Sequence, residues 1–168
     1  TTRWATNPQR PGGPMPGVAT VFATTSMAQV ATSAEEAKEA LFLRPTDGIT
    51  MNRDRLLADA EAKALARVAA GYKPPEEVAI SLPGPSGKAA LDMAVAGFRA
   101  SGAATPHDVV VSGHLATVLT GGDTDVTQTL SEADLLALER AAFLALIQTP
   151  ATLARIEQML ETGKPLRN

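Results

Sequence analysis

The chain has 168 residues, no cysteine and a formal net charge of −3, with 45% hydrophobic and 20% charged residues. The length suits one domain, or one domain with a tail, and the apolar content is too high for a disordered chain. Without cysteine, disulfides, thiolate metal sites and cysteine nucleophiles are excluded. The slightly acidic balance argues against nucleic-acid binding, and no apolar run approaches the roughly 20 residues of a membrane span.

The beginning of the chain is unusual in composition. It starts at Thr1 without an apolar signal region, so we expect a mature or cut piece of a cytoplasmic protein, with the first residues either native or added. Residues 7–17 read NPQRPGGPMPG, and this density of proline and glycine predicts a linker or an irregular tail over residues 1–17.

Helix start and stop signals recur along the remainder, and alanine, the best helix former, is abundant. Ser33, Thr105, Ser131 and Thr149 have the properties of N-caps. Glycines end the predicted helices in the manner of a C-cap, at Gly71, Gly102, Gly121 and Gly163. These signals predict a mainly α chain of about seven helices. The first spans residues 18–29, and very short extended segments lie near residues 49–51 and 78–80.

A glycine-rich loop, Pro83-Gly84-Pro85-Ser86-Gly87-Lys88, follows a strand-like run and precedes a predicted helix, which is the context of a phosphate-binding P-loop. The spacing fails, because the glycine required five residues before Gly87 is Leu82. The magnesium-binding Ser or Thr required after Lys88 is Ala89. We therefore expect a turn that leads into a helix starting near Lys88, with a degenerate nucleotide-binding loop as an alternative.

The two histidines do not form a recognisable site. His107 and His114 are seven residues apart on one predicted helix, about 10 Å by helix rise, which is too far for one metal ion. A Ser-His-Asp set of Ser112, His107 and Asp108 lacks a nucleophile elbow. We therefore expect both histidines at surface or helix-terminus positions, and no metal site.

The remaining polar residues suggest no catalytic pair either. We expect Glu139 at the edge of the core in a structural role, since Phe143 follows it by one helical turn. The simplest role for the methionines is filling the core, which we expect for Met27, Met51, Met93 and Met159. From the residues alone, a helical interaction module is as well supported as an enzyme segment.

Two parts of the chain resemble the crotonase (enoyl-CoA hydratase/isomerase) superfamily. The first begins with the SAEEAKE segment at Ser33 and continues through FLRPTDGITMNRDRLL into an alanine-rich helix. The second is the chain end, with LERAAF from Leu138, Thr149-Pro150, and ETGKPLRN at the close. The stretch between them, with HDVVVSG from His107, resembles the C-terminal extension of bacterial multifunctional fatty-acid β-oxidation proteins. The resemblance covers roughly residues 15–168.

This resemblance implies a fold and a set of segments. The chain would be the C-terminal helical part of a crotonase-like fold with a helical extension. Residues 18–72 would be late crotonase-like helices, and residues 73–168 the extension with the terminal helices. The catalytic frame of the superfamily lies earlier in its chains, so no catalytic residue carries over. Phe143, Lys164 and Arg167 match positions near the CoA side of the acyl-CoA site.

The resemblance also implies a function. The parent chain would hydrate trans-2-enoyl-CoA and oxidise 3-hydroxyacyl-CoA with NAD, while these 168 residues would supply pocket wall and subunit assembly without activity of their own. Its partners would be acyl-CoA and the remainder of the parent polypeptide or a neighbouring subunit of a homo-oligomer. We expect no cofactor bound by this chain itself. The alternative is a stand-alone helical interaction or oligomerisation module.

One residue departs from the pattern of the superfamily. A glycine usually ends the short capped helix in a left-handed conformation, and here Leu41 occupies that place. A leucine in that conformation costs about 1 kcal/mol or more. Either the turn differs or the strain is tolerated.

Overall fold

The computed structural model describes residues 2–5, 10 and 12–168, and that part of the chain is mainly α-helical, as predicted. A four-residue helix α1 (Thr2–Ala5) is followed by seven longer helices, and a 3₁₀ turn (Arg53–Arg55) precedes the fourth helix. The helices are α2 (Pro14–Ser26), α3 (Ala34–Glu39), α4 (Leu56–Ala69), α5 (Gly84–Ala100), α6 (Pro106–Thr120), α7 (Glu132–Leu146) and α8 (Pro150–Thr162). Two strands, β1 (Ile80–Ser81) and β2 (Thr129–Leu130), complete the description.

The chain forms two compact units. The first joins Thr1–Gln29 to Val78–Asn168, and the second is Val30–Glu77. The sequence segments 18–72 and 73–168 follow the family resemblance, and they remain a prediction. Segment 1–17, predicted from its composition to be a linker or an irregular tail, includes helix α1 and the first residues of α2.

Helix α6 lies at the centre of the first unit, where α2, α5 and α7 all pack against it. The buried apolar side chains come from α2, α5 and α6 and from the residue after β1: Val18, Phe22, Leu82, Leu91, Val95 and Ala116. Half-buried side chains extend this core along α6 and α7, among them Leu115, Leu119 and Leu135. Burial of such side chains is the main stabilising contribution to the unit, at about 1.5–3 kcal/mol for each large one.

The two strands form a short antiparallel pair in which Ile80 lies opposite Leu130. The predicted segment at residues 78–80 is therefore extended, although its strand begins only at Ile80. A Cβ added at Gly121 would lie 2.9 Å from Leu130 Cδ1, so the end of α6 packs closely against this pair.

Local capping explains where the helices begin and end. Thr105 with Asp108, and Ser131 with Asp134, form reciprocal capping boxes. The Ser33 hydroxyl accepts a hydrogen bond from the Glu36 N–H, but the Glu36 carboxylate accepts from Thr32 instead of Ser33. The helix ends at Gly121 and Gly163 have left-handed backbones, as predicted for C-cap glycines.

Two helices begin earlier than the sequence suggested. Helix α2 starts at Pro14, within the predicted linker, and α5 starts at Gly84, within the predicted turn. Proline is compatible with a first helical turn, because the N–H groups there have no intrahelical acceptor. The remaining linker positions 7–9 and 11 lie outside the described residues. At residues 49–51 the predicted extended segment forms no strand.

The second unit has no buried residue anywhere between residues 30 and 77. Its main element is α4, and the Thr50 hydroxyl donates a hydrogen bond to Asp59 on one side of it. Large apolar side chains elsewhere on α4 are exposed, namely Leu56, Leu57, Leu65 and Val68. Such a unit buries too little apolar surface to be stable by its own packing.

The four methionines that were predicted to fill the core do not do so. Met27, Met51, Met93 and Met159 are all exposed, and Met51 is 92% exposed. Periodicity identifies apolar positions but does not reveal whether another element covers them. Among the described residues, no helix combines the length and apolar character needed to cross a bilayer.

Candidate functional site

A groove of about 560 Å³ runs along α6 in the first unit. Its floor is the apolar face of α6, one wall is α7, and the end of α2 contributes the other. The apolar lining residues are Val111, Leu115, Val118, Leu119, Ala142, Phe143 and Leu146. The polar lining residues are Thr25, Ser26, Asp108, Ser112, His114, Glu139 and Arg155. Volumes of about 300–1,000 Å³ are typical of small-molecule sites.

Contacts at the middle of α7 and just beyond its end show that it runs antiparallel to α6. Leu138, in the middle of α7, lies beside Gly122 just after α6, where an added Cβ would meet its side chain at 3.2 Å. Thr152, shortly after α7, shares a hydrogen bond of 2.8 Å with His107 at the start of α6. Glu139 therefore lies toward one end of the groove, and Asp108 and Arg155 lie at the other.

A polar cluster closes the second of these ends. The Arg155 guanidinium donates to Asp108 Oδ1 at 2.8 Å and to the Thr105 hydroxyl at 3.3 Å. Its Nε donates to Asn168 Oδ1 at 2.7 Å. Asp108 also caps α6, because its Oδ2 accepts the Thr105 N–H. One carboxylate thus anchors both the start of α6 and the side of α8.

A second arginine reaches the same carboxylate. Arg167 donates to the Ala103 carbonyl at 2.8 Å, and its guanidinium lies 3.8 Å from Asp108 Oδ2. The Asn168 amide donates to the Ala151 carbonyl at 3.0 Å. These contacts fold the last residues of the chain back onto the first turn of α6. Arg155 also donates to the main-chain oxygen of Asn168 at 3.3 Å, so both arginines have acceptors within this cluster.

Burial and hydrogen bonding act in opposite directions on Asp108. Burial acts to raise the pKa of its carboxyl, but hydrogen bonds from Thr105 and Arg155 outweigh it and lower the pKa below the ordinary value. Asp108 is therefore a charged acceptor at neutral pH, unsuited to act as a general acid.

His107 lies at a helix terminus, as predicted, but it is buried rather than on the surface. Burial lowers the pKa of His107, and the nearby Arg155 lowers it further while Asp108 opposes the change. Its Nε2 is paired with Thr152, and Asp108 is bound to Arg155 and Thr105. Ser112 and Asp108 line the groove, but His107 is not among the lining residues, so these three residues form no catalytic triad.

The three residues predicted for the CoA side differ in their placement. Phe143 lines the groove with its side chain 56% exposed. Arg167 lies at the cluster that closes one end of the groove. Lys164 is exposed just beyond the left-handed Gly163 and is not among the lining residues. Glu139 was predicted at the edge of the core. It is exposed on the wall of the groove, where it borders the half-buried face of α7.

The glycine-rich segment at the start of α5 is packed rather than open to a phosphate. A Cβ at Gly84 would overlap the Thr124 carbonyl oxygen, and one at Gly87 would overlap the Pro83 ring. Lys88 forms an ion pair with Asp92 one turn along the helix. The glycines therefore permit close packing of the first turn of α5, which replaces the turn that was predicted to precede the helix. Within the described ranges, no group of three or more metal-ligating side chains occurs.

Sequence reasoning did not single out Arg155, which connects three parts of the site. It stands on a helix that offers no local reason for a buried charge, and its partners are 47 and 50 residues earlier in the chain. The available signal was the capping box at Asp108, because a half-buried capping acid often gains a cationic partner.

The first unit is thus a helical domain with a groove along α6 that a cluster of hydrogen-bonded polar side chains closes at one end. No family model and no solved structure matches this chain. Among curated proteins, it is similar to a probable 3-hydroxyacyl-CoA dehydrogenase of Bacillus subtilis (strain 168), with 39% identity over 155 residues. The alignment covers 92% of this chain and 20% of that protein. The chain therefore spans about a fifth of the length of this relative.

Proposed function

We propose that these 168 residues are the C-terminal segment of a fatty-acid β-oxidation enzyme and carry no catalytic residue of their own. The observation that carries the proposal is the 39% identity to one fifth of a probable 3-hydroxyacyl-CoA dehydrogenase. In the proposal the parent chain oxidises 3-hydroxyacyl-CoA with NAD. Hydration of trans-2-enoyl-CoA by the same parent rests on the crotonase resemblance alone.

The proposed task of this segment is to complete an acyl-CoA pocket and to hold subunits together. The groove with Phe143 on its wall and Arg167 near its end supports the first part. The second unit supports subunit assembly, because no residue between positions 30 and 77 is fully buried and Leu57 is 81% exposed. Its partner would be the remainder of the parent polypeptide or a neighbouring subunit in a homo-oligomer. The remainder of the parent polypeptide would make most of the contacts with NAD and acyl-CoA.

A chimera tests the proposal. The matched segment of the Bacillus subtilis relative is replaced by this chain, and NAD-dependent oxidation of a 3-hydroxyacyl-CoA is compared with the unaltered relative and with a deletion. We expect the deletion to lose most activity and the chimera to regain at least about a tenth of it, a difference of about 1.4 kcal/mol or less from the unaltered relative. A deletion as active and as oligomeric as the unaltered relative would show that the segment has no such role.

The chain alone provides the complementary measurement. We expect no hydration of crotonyl-CoA and no NAD reduction with 3-hydroxybutyryl-CoA, since the resemblance carries no catalytic acid or base over to a position of this chain. Activity of the isolated chain in either assay would refute its assignment as a non-catalytic segment.

The second candidate is a stand-alone helical interaction module, and the exposed apolar residues of α4 favour it as much as they favour assembly. The two candidates differ in the partner. If this chain is a segment of the enzyme, it binds the relative from which the matched part was deleted, or restores the activity of that relative. An independent module does neither. Analytical ultracentrifugation of the mixture distinguishes them.

A further inference from the structure

We propose that α8 is a pH-sensitive arm, which stays against α6 while the buried ring of His107 is neutral and lifts away from α6 when that ring is protonated. The movement takes place within the first unit and leaves α5, α6 and α7 folded. It needs no other part of a parent enzyme, so it stands apart from the proposed function.

Helix α8 is not held in place by apolar packing. Among the described residues, no side chain of α8 belongs to the apolar core or is among those that pack against it. Its large apolar side chains are all exposed, namely Leu153, Ile156, Met159 and Leu160. Burial of an apolar face is what usually stabilises a helix of this length in a protein. The attachment of α8 therefore depends on polar contacts.

These polar contacts lie in the first two turns of α8 and reach only the start of α6. His107 Nε2 is 2.8 Å from the Thr152 hydroxyl, and the Arg155 guanidinium donates to Asp108 Oδ1 at 2.8 Å. Farther along, over residues 156–162, the described side-chain hydrogen bonds of α8 stay within the helix and the residue that follows Gly163. The helix is thus held at one end, beside its connection to α7.

The ring of His107 is in a place that disfavours a positive charge. It is buried, and it belongs to the first turn of α6, where the N–H groups of the helix present a partial positive charge. Burial and the nearby Arg155 lower the pKa of His107 below its ordinary value of 6.5, although Asp108 opposes the change. Both causes disappear when α8 lifts away, because water then reaches the ring and Arg155 moves off.

The other charged groups at this contact keep their charges in the same pH range. Burial acts to raise the pKa of the Asp108 carboxyl, but hydrogen bonds from Thr105 and Arg155 bring it below its ordinary value of 3.8. Arg167, whose guanidinium lies 3.8 Å from Asp108 Oδ2, stays protonated, as does Arg155. His107 is therefore the group at this contact whose charge changes between about pH 7.5 and about pH 5.5.

The direction of the pH effect follows from the lowered pKa of the docked ring. Above pH 6.5 the ring is neutral whether α8 is docked or released, so protonation favours neither form. As the pH falls below 6.5 toward the lower pKa of the docked ring, the released form takes up the proton first, and docking becomes weaker.

Release of α8 would change the groove along α6. Arg155 is the lining residue that α8 contributes, and it covers the end of the groove at Asp108. When α8 lifts, Arg155 leaves this end, so the groove becomes wider there and the Asp108 carboxylate becomes exposed to water. Access to the groove would thus depend on pH.

A pair of spin labels reports the position of the arm. The chain has no cysteine, so Met93→Cys on α5 and Glu161→Cys on α8 confine the labels to these two exposed positions. We expect double electron–electron resonance to show a second label-to-label distance whose share rises at least about threefold from about pH 7.5 to about pH 5.5. Labels at Met93 and Leu136, on α5 and α7, are the control and should keep one distance at both pH values.

Variants connect the movement to His107. In His107→Gln we expect the share of the second distance to be equal at both pH values, whereas His114→Gln keeps the change. Arg155→Gln removes the pair with Asp108 and should raise that share at least about threefold at about pH 7.5. If His107→Gln fails to fold, NMR titration of the His107 ring in the unaltered chain replaces it.

Four results would overturn the proposal. They are equal distances at both pH values in the unaltered chain, a pH response that His107→Gln retains, and a His107 ring that stays neutral while the distances change. The fourth is an equal change in the control pair, which would mean that the whole unit unfolds in acid.

Discussion

Leu41 has a left-handed backbone with φ of 64°, in the place where the resembling superfamily has glycine. The N–H groups of Leu41 and Phe42 donate to the carbonyls of Lys38 and Ala37, so the helix end forms with its usual hydrogen bonds. The sequence left two possibilities, a different turn or a tolerated strain. The structure shows the left-handed turn, so the strain is tolerated. The Cβ of Leu41 disfavours the left-handed backbone, whereas the hydrogen bonds that end the helix favour it.

Replacement of Leu41 measures that strain. Leu41→Gly and Leu41→Ala both remove the side chain, but only alanine keeps a Cβ in the left-handed region, so we expect the glycine variant to be more stable by about 1 kcal/mol. Urea unfolding with a helix-sensitive signal provides the comparison. At Ala40, where φ is −73°, the same change to glycine is expected to destabilise. An alanine variant at Leu41 as stable as the glycine variant would show that no strain is stored there.

The lowered pKa of His107 makes stability depend on pH. Above its ordinary pKa of 6.5 the ring is neutral in both the folded and the unfolded chain. As the pH falls below 6.5 toward the lower folded pKa, the unfolded chain takes up the proton first, so the free energy of unfolding decreases.

His107→Gln removes this titration and keeps a polar partner for Thr152. We expect its free energy of unfolding to change less between about pH 7.5 and about pH 5 than that of the unaltered chain. His114→Gln is the matched control. If the two variants flatten the pH dependence equally, the effect does not come from the buried ring.

At the scale of elements, helix boundaries followed from local chemistry, whereas burial did not. The capping boxes at Thr105 and Ser131 and the left-handed glycines at 121 and 163 are properties of short segments, and the sequence located them correctly. The early starts at Pro14 and Gly84 were missed, because proline is read as a breaker although it is compatible with a first turn.

Two of the three glycines of α5, Gly84 and Gly97, should respond in opposite ways to replacement by alanine. At Gly84, with φ of 61°, a Cβ would overlap the Thr124 carbonyl oxygen, and we expect a loss of at least about 2 kcal/mol. At Gly97 an added Cβ would meet nothing within 4 Å, and we expect a gain of about 0.5–1 kcal/mol. Thermal unfolding of both variants measures these two changes in stability. A Gly84→Ala protein of unchanged stability would mean that the segment is open rather than packed.

Polar contacts at its first turns connect α8 to α6. A double-mutant cycle with Asp108→Asn and Arg155→Gln isolates their pair, which is under a third exposed on both sides. We expect a coupling free energy of about 1 kcal/mol, together with faster amide exchange in α8 for either single variant. Additive effects in the cycle would indicate that the two side chains act separately.

At the scale of the whole molecule, the fold class could be predicted from the sequence. Of the residues that the resemblance suggested for the CoA side, Phe143 lines the groove and Arg167 lies beside Asp108, and their role stays a prediction. Arg155 could not be found in this way, because its role depends on a contact 47 residues away that no local pattern encodes. The exposure of Leu57 and Leu65 was equally hidden, since a periodic apolar stripe looks the same whether or not something covers it.

The first unit is discontinuous in sequence, with Val30–Glu77 inserted between its two parts, and every residue of the buried core belongs to those parts. The insertion should therefore be dispensable for folding. Excision of residues 30–77, with a flexible glycine-serine linker in their place, is expected to give a cooperative protein that retains the protection of amides in α5 and α6. Loss of that protection would show that the inserted unit is needed to build the core. If the protection of these amides persists, the chain is modular. The unit that carries the groove then folds by itself, and residues 30–77 could be exchanged for another insertion.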